Sequence, residues 1–137
     1  MRRLALAPIV LAAVALSGCT TAGSGSSSKK FSGAAGDVAD AVGDLETAGK
    51  RKDADRLCSE LLAGSLVQKL DAGGTSCKQE MKDALADADE FSLSVRDVKV
   101  SGTTATATVR QGTDGPTRTV QFVKEGTRWK ASGFSTG

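Results

Sequence analysis

The 137-residue sequence predicts an α+β domain, in which three short N-terminal helices pack on a curved four-stranded antiparallel sheet. Apolar residues recur with the helical period between residues 37 and 88, and with a period of two from residue 91 onward. One change of phase in the second half indicates a β-bulge, which bends a sheet. Helices followed by strands along the chain are typical of the α+β class.

The first 18 residues have the pattern of an export signal. Two arginines precede an apolar run, residues 4–16, that is too short to remain as a membrane span. The run ends in Leu16-Ser17-Gly18-Cys19, which resembles the lipobox of bacterial lipoprotein precursors. That resemblance implies cleavage between Gly18 and Cys19 and a diacylglycerol thioether on Cys19. An ordinary secretory signal or a short buried helix, with Cys19 incidental, is the alternative.

Two acyl chains suffice for stable membrane anchoring, so we expect a lipid-anchored protein on the extracytoplasmic face of the cell membrane. Residues 19–32 are then the lipidated cysteine and a flexible linker, because a Ser- and Gly-rich tract cannot bury enough surface to offset the entropy of ordering. Residues 33–137 are long enough for one domain with one core.

The helices are predicted from their apolar stripes. The first spans residues 37–48 and ends at Gly49. Asp53 caps the second, which Gly64 ends, and residues 66–70 add one further turn or two. Thr75 or Ser76 caps the third. The apolar residues predicted to face the core are Val38, Ala41, Val42, Leu45, Ala54, Leu57, Cys58, Leu61, Leu62, Cys77, Met81, Ala84, Leu85 and Ala88.

Four strands follow in an antiparallel meander. In the first strand the phase changes near Arg96 and Asp97, where we expect the bulge. Residues 101–103 make a hairpin turn, residues 112–116 the next reversal, and Glu125-Gly126 the last. The inward-facing strand residues are predicted to be Leu93, Val95, Ala105, Ala107, Val120, Phe122 and Trp129.

The charge balance gives no reason to expect nucleic acid as a partner. Lys and Arg total 18, and Asp and Glu 16, so loss of Arg2 and Arg3 with the signal leaves the charges equal. Residues 31–91 are predominantly acidic and residues 92–137 mildly basic. Solvated helix and sheet faces account for this unevenness as readily as a partner surface does.

The order of elements, the pair Cys58 and Cys77, and the segments "VRDVKVSGTTATATV" and "VQFVKEGTRWKASGF" carry a second resemblance. They are similar to small lipoproteins of high-GC Gram-positive bacteria with a nuclear transport factor two-like domain, a cone of curved sheet packed on helices. The resemblance covers residues 33–134. A cystatin-like arrangement, with a helix wrapped by a sheet, is the alternative fold.

With Cys19 assigned to lipid, Cys58 and Cys77 remain as an even pair in an oxidising compartment. We expect them to form a disulfide. Two free thiols are the alternative, and a metal site is disfavoured because two thiolates without histidine do not complete a zinc site.

The chain contains no His, Tyr or Asn, so it cannot hold a His-based nucleophile system or a Tyr acid. Enzymes on the resembled scaffold, such as ketosteroid isomerases and polyketide cyclases, place an acid or base inside the cone. Here only Asp97, beside the expected bulge, could turn inward, and solvent exposure is the simpler expectation. We expect no cofactor and no metal.

These observations favour a non-catalytic binding or accessory module for an apolar small ligand or an envelope protein. An isomerase-like or cyclase-like enzyme with a single carboxylate in the cone is the alternative function. The small residues on the second strand oppose larger ones on the third and fourth, which predicts a modest apolar pocket in the cone. Complete filling by Leu57, Leu61, Met81 and Leu85 is the opposing expectation. The predicted lining is Leu93, Ala105, Ala107, Val120, Phe122 and Trp129.

Overall fold

A computed structural model describes residues 30–88 and 91–136, the side chain of residue 136 excepted. The helical elements are α1 (Gly33–Lys50), α2 (Ala54–Arg56) continued by a π-helical turn (Leu57–Leu61), α3 (Gly64–Ala72) and α4 (Cys77–Ala86). The strands are β1 (Leu93–Ser101), β2 (Thr104–Gln111), β3 (Thr117–Glu125) and β4 (Arg128–Thr136). They form one antiparallel sheet in the order β1-β2-β3-β4. The α+β class and the four-stranded meander are confirmed.

The number of helices in the domain was predicted wrongly, because the described residues form four helices, not three, before the sheet. Residues 66–70 belong to α3, and Gly64 begins this helix instead of ending the previous one. Leu62 and Ala63 have extended backbones between the π-helical turn and α3. Leu62 pairs with Ala131 of β4, and the Ala63 amide donates to the Ala131 carbonyl at 2.8 Å. This contact with the sheet interrupts the helix that the local sequence favours.

Helix α1 is longer than predicted at both ends. It has 18 residues, and Gly49 lies inside it, buried, instead of ending it. The predicted stripe is present, since Val38, Val42 and Leu45 are all less than 5% exposed. A Cβ atom on Gly49 would overlap the ring of Phe91, just before β1. The glycine therefore permits a close approach of helix and ring that the helical pattern could not reveal.

The local signals for the starts of α2 and α4 were interpreted correctly. Asp53 caps α2, and its Oδ1 accepts a hydrogen bond from the Arg56 amide at 3.0 Å. Ser76 caps α4, and its Oγ accepts from the Gln79 amide at 3.3 Å. Both satisfy backbone donors that the first helical turn leaves free. Among the described residues, no helix has the length and apolar character needed to cross a bilayer.

Two bulges bend the sheet. In β1 the pairing shifts between Val95 and Asp97, at the predicted position. In β4 an extra residue, Ser132, lies opposite the Gln121–Phe122 pair of β3. The turn after β1 contains Gly102 with φ of +59°, which a glycine adopts without steric cost. The sheet therefore curves over the helices, as the change of phase in the sequence indicated.

The side of the sheet that carries the buried residues of each strand faces the helices and is called here the inner face. Ala105, Ala107 and Val109 of β2 point to it and are at most 5% exposed. One hydrophobic cluster joins it to the helices. Its members are Val38, Ala39, Val42, Leu45, Ala48, Leu57, Leu61, Leu62, Cys77, Leu85, Val95, Ala105, Ala107, Val109, Val120, Phe122, Trp129 and Ala131, with Met81 and Leu93 among the partly buried residues packed against them.

Cys58 and Cys77 form a disulfide, with their α-carbons 6.1 Å apart. It joins the π-helical turn to the first residue of α4. Cys77 and Leu85 are the buried residues of α4, so the covalent link supplements a small apolar contact.

We predict that replacing both Cys58 and Cys77 with serine lowers the free energy of unfolding by about 3 kcal/mol, since the sequence separation is 19 residues. Thermal unfolding monitored by circular dichroism should show a melting temperature lower by roughly 10–20 °C. The wild-type protein treated with a reductant should show the same decrease in melting temperature, because the reductant breaks the same bond. Equal melting temperatures with and without the bond would contradict this account.

A second prediction concerns the approach of α1 to Phe91. Gly49→Ala should destabilise the domain by about 1–3 kcal/mol, although alanine is the better helix former, because the added methyl overlaps the ring. Gly43→Ala, on the same helix, is the matched control. A Cβ there meets no atom within 4 Å, so this variant should be more stable by up to about 1 kcal/mol. Urea unfolding of both variants measures the difference, and two shifts of the same sign would show that the contact is unimportant.

Candidate functional site

The side of the sheet opposite the helices, called the outer face, carries hydroxyl-bearing and amide side chains. Lys99, Thr106, Gln121 and Gly133 form one row across the four strands. A neighbouring row contains Ser101, Thr104, Val123 and Lys130. Side chains on one face of a strand alternate with those on the other, so these residues point away from the core.

An open groove of about 490 Å³ lies on these two rows. It reaches from β1 to the bulge of β4 and to the first turn of α3. Volumes of this size are typical of sites for small molecules. The residues that line it are Ser65, Lys99, Val100, Ser101, Thr104, Ala105, Thr106, Gln121, Phe122, Val123 and Ser132, of which six belong to the two outer-face rows.

The carboxylate of Glu125 holds the start of α3 at one end of the groove. Its Oε1 accepts a hydrogen bond from the Gly64 amide at 3.1 Å, at the start of α3. Its Oε2 lies 3.6 Å from Lys130 Nζ. A carboxylate at a helix N-terminus is favoured by the helix dipole. Glu125 therefore fixes Ser65 at the groove and occupies Lys130 at the same time.

The groove exposes mostly apolar surface, with several neutral polar groups, one ammonium and no acid along it. Five hydroxyls and the amide of Gln121 can donate and accept hydrogen bonds, and Lys99 supplies one ammonium. No carboxylate lines the groove. Val123 and the methyl groups of Thr104 and Thr106 add apolar surface. Such a lining can hold a ligand and orient it, but it offers no evident pair of groups for acid–base chemistry.

The six residues predicted to line one pocket do not lie around a common cavity. Ala105 and Phe122 border the groove but are themselves buried in the core, at 5% and 2% exposure. Leu93, Ala107 and Val120 line neither of the two cavities described here. Ala107 and Val120 are covered by the helices, while Leu93 remains partly buried. The concavity on the sheet lies outside the cone, where the sequence analysis did not place a pocket.

Trp129 lines the second cavity, a cleft of about 240 Å³ between α1 and the β3–β4 turn. Three aspartates of α1 and Glu60 lie along it, and Arg128 pairs with Glu60 at 3.6 Å. The indole Nε1 of Trp129 is buried and has no hydrogen-bond partner in the described part of the chain. Within that part, no group of three or more metal-ligating side chains is assembled.

Asp97 is exposed, and its position in the pairing places it on the outer face opposite Thr108. The carboxylate that an enzyme in the cone would need is therefore not turned inward. The predicted signal peptide, residues 1–18, and the predicted cleavage and lipidation residues Gly18 and Cys19 lie outside the described residues.

Most of the residues that form the groove, above all Ser65, Lys99 and Gln121, were not predicted from the sequence. The alternation "TATATV" in residues 104–109 was a usable signal, since its threonines had to share the face opposite the buried alanines. No local signal connects Ser65 with β4, because that proximity depends on the pairing of Leu62 with Ala131.

No protein-family model and no curated protein matches this chain. Among solved structures, it is similar to a designed nuclear transport factor two-like protein, Rd1NTF2_05 with five substitutions. The TM-score is 0.50 at 14% sequence identity, over 74% of this chain and 97% of the designed protein. The domain therefore has a nuclear transport factor two-like fold, and at this identity the similarity concerns the fold alone.

A prediction follows for Glu125. Glu125→Ala should lower the free energy of unfolding by about 1 kcal/mol, because it removes the acceptor of the Gly64 amide and the favourable charge at the start of α3. Glu60→Ala removes a carboxylate whose two ion pairs, with Arg56 and Arg128, are long and partly exposed. This control should change stability by less than about 0.5 kcal/mol. Urea unfolding measures the free energy of unfolding of both variants. Equal losses would contradict a stabilising role of Glu125 at the start of α3.

Proposed function

We propose that this protein is a membrane-anchored extracytoplasmic lipoprotein whose domain is a non-catalytic binding module for a small ligand with apolar surface. The observation that carries the binding role is the outer-face groove, with its hydroxyls, amide and single ammonium and no carboxylate in its lining. A site of this composition has means to hold a ligand and lacks a convergent acid and base.

The anchoring part of the proposal rests on the sequence Leu16-Ser17-Gly18-Cys19 after an apolar run. Residues 20–32 separate the cysteine from α1, which begins at Gly33. A Gly- and Ser-rich chain of this length has a root-mean-square extension of roughly 20 Å. Such a tether would hold the groove near the membrane surface without pressing the domain against the headgroups.

The enzyme alternative requires a carboxylate close to a bound substrate. Asp97 is the residue that the sequence offers for this, and it lies exposed on the outer face, outside the lining of the groove. An isomerase-like or cyclase-like reaction would therefore have to take place at a solvated carboxylate beside the groove. An envelope protein as the partner remains compatible with a binding module, and the groove favours a small ligand because of its volume.

The anchoring is tested by phase partition of the full chain expressed in a bacterium. The wild-type protein should enter the detergent phase, and Cys19→Ser should move it to the aqueous phase, because the acyl chains attach only to that thiol. The double replacement of Cys58 and Cys77 with serine is the matched control and should leave partition unchanged. Detergent partition of the Cys19→Ser protein would contradict the anchoring.

The non-catalytic role is tested separately with isomerase and cyclase substrates. We expect no turnover by the wild-type chain. Turnover that disappears in Asp97→Ala, at unchanged melting temperature, would establish the enzyme alternative instead.

A further inference from the structure

We propose that the groove binds small amphiphiles that carry one anionic group, with the anion beside Lys99 and the apolar body lying across the strands toward β4. This inference rests on the binding role proposed above and adds the chemical class of the ligand. It places the ligand on the outside of the cone, over the two rows of outer-face side chains.

The direction of the groove follows from the strand order. Lys99 and Ser101 lie on the edge strand β1, whereas Ser132 lies on β4 and Ser65 beside it. Neighbouring strands are about 4.8 Å apart, so three intervals separate these ends by roughly 14 Å. A ligand with a distinct head and body can therefore lie lengthwise, with each end in a different environment.

The sign of the head group follows from the charges at the groove. Lys99 is the only charged residue in the lining, and it makes no ion pair with any described residue. The other lysine of the two rows, Lys130, is paired with Glu125. Glu125 also accepts from the Gly64 amide, so the start of α3 already holds a carboxylate. The free cation is thus at the β1 end alone.

Two further charges face this region and affect the same choice. Asp97 lies two residues before Lys99 on the outer face, and Arg110 lies one row beyond Asp97. Asp97 is not within ion-pair distance of Lys99, and neither Asp97 nor Arg110 lines the groove. Lys99 can balance one anionic group on the ligand. A second anionic group would lie near the carboxylate of Asp97 or Glu125, which would repel it.

The body of the ligand is defined by the middle of the groove. Val123 and the methyls of Thr104 and Thr106 give apolar contact, while Gln121 leans toward β4. Gly133 makes room for this, since a Cβ there would be 3.0 Å from Gln121 Oε1. The amide and the hydroxyls at the β4 end are neutral. A chain or fused ring of moderate length, with polar atoms tolerated at its far end, fits this sequence of contacts.

The test uses two fluorescent probes that differ by one sulfonate, 8-anilinonaphthalene-1-sulfonate and neutral N-phenyl-1-naphthylamine. Binding is measured by energy transfer from Trp129, the single tryptophan. All proteins are full chains carrying Cys19→Ser, so that no detergent or lipid competes for the probes. Lys99→Gln should weaken the sulfonate probe about tenfold and the neutral probe less than about twofold.

Two control variants accompany this measurement. Lys130→Gln removes an equal charge from a lysine that Glu125 occupies, and it should change either affinity less than about twofold. Thr106→Phe fills the middle of the groove and should abolish the transfer for both probes. Octanoate should displace the sulfonate probe more strongly than 1-octanol does, and comparison with octyl phosphate distinguishes a carboxylate from a phosphate head.

The outcomes separate this inference from the proposed function. Loss of both probes in Thr106→Phe without any effect of Lys99→Gln would overturn the anionic class and leave a binding groove. Failure of both probes to bind the parent, or binding unaffected by Thr106→Phe, would overturn the groove as a ligand site and the anionic class with it. Circular dichroism of each variant verifies the fold before titration.

Discussion

A hydrogen bond between the helical layer and the edge strand, from the Ala63 amide to the Ala131 carbonyl at 2.8 Å, organises the part of the molecule that carries the groove. It extends Leu62 and Ala63, ends the π-helical turn and starts α3 beside β4. It also satisfies one backbone carbonyl on the edge strand β4, where unpaired backbone groups could otherwise bind a strand of another chain. Ser65 reaches the groove because of this pairing.

The two faces of the sheet differ because small buried residues alternate with polar residues along β2. Ala105 and Ala107 are small enough for α1 and the π-helical turn to approach the inner face, and the leucines of those elements complete the core. Close packing leaves little space for a ligand there. The threonines between the alanines are exposed or partly exposed, so the polar chemistry of the sheet is concentrated on the outer face.

Helix α4 buries little apolar surface against the rest of the domain. Of its ten residues, Cys77 and Leu85 are buried. The disulfide to Cys58 and the ion pair of Lys78 with Asp55 therefore hold it to the segment around α2. In a domain with a small core, a covalent link of this kind compensates for limited apolar burial. The groove lies on the far side of the sheet, so it is separated from this link by the core.

The sequence by itself determined the class of fold, the four strands with their first bulge, the helix cap at Asp53, and the pairing of the two cysteines. These features follow from periodicity, turn residues and short-range hydrogen bonds, which act between residues close in the chain. The tertiary structure decided the fourth helix, the burial of Gly49 against Phe91, and the position of the groove. Each of these depends on a contact between residues distant in sequence, such as Leu62 with Ala131 or Gly64 with Glu125. The choice between an open cone and a filled one was likewise tertiary, because alternation tells which residues face inward and only packing tells whether the helices reach them.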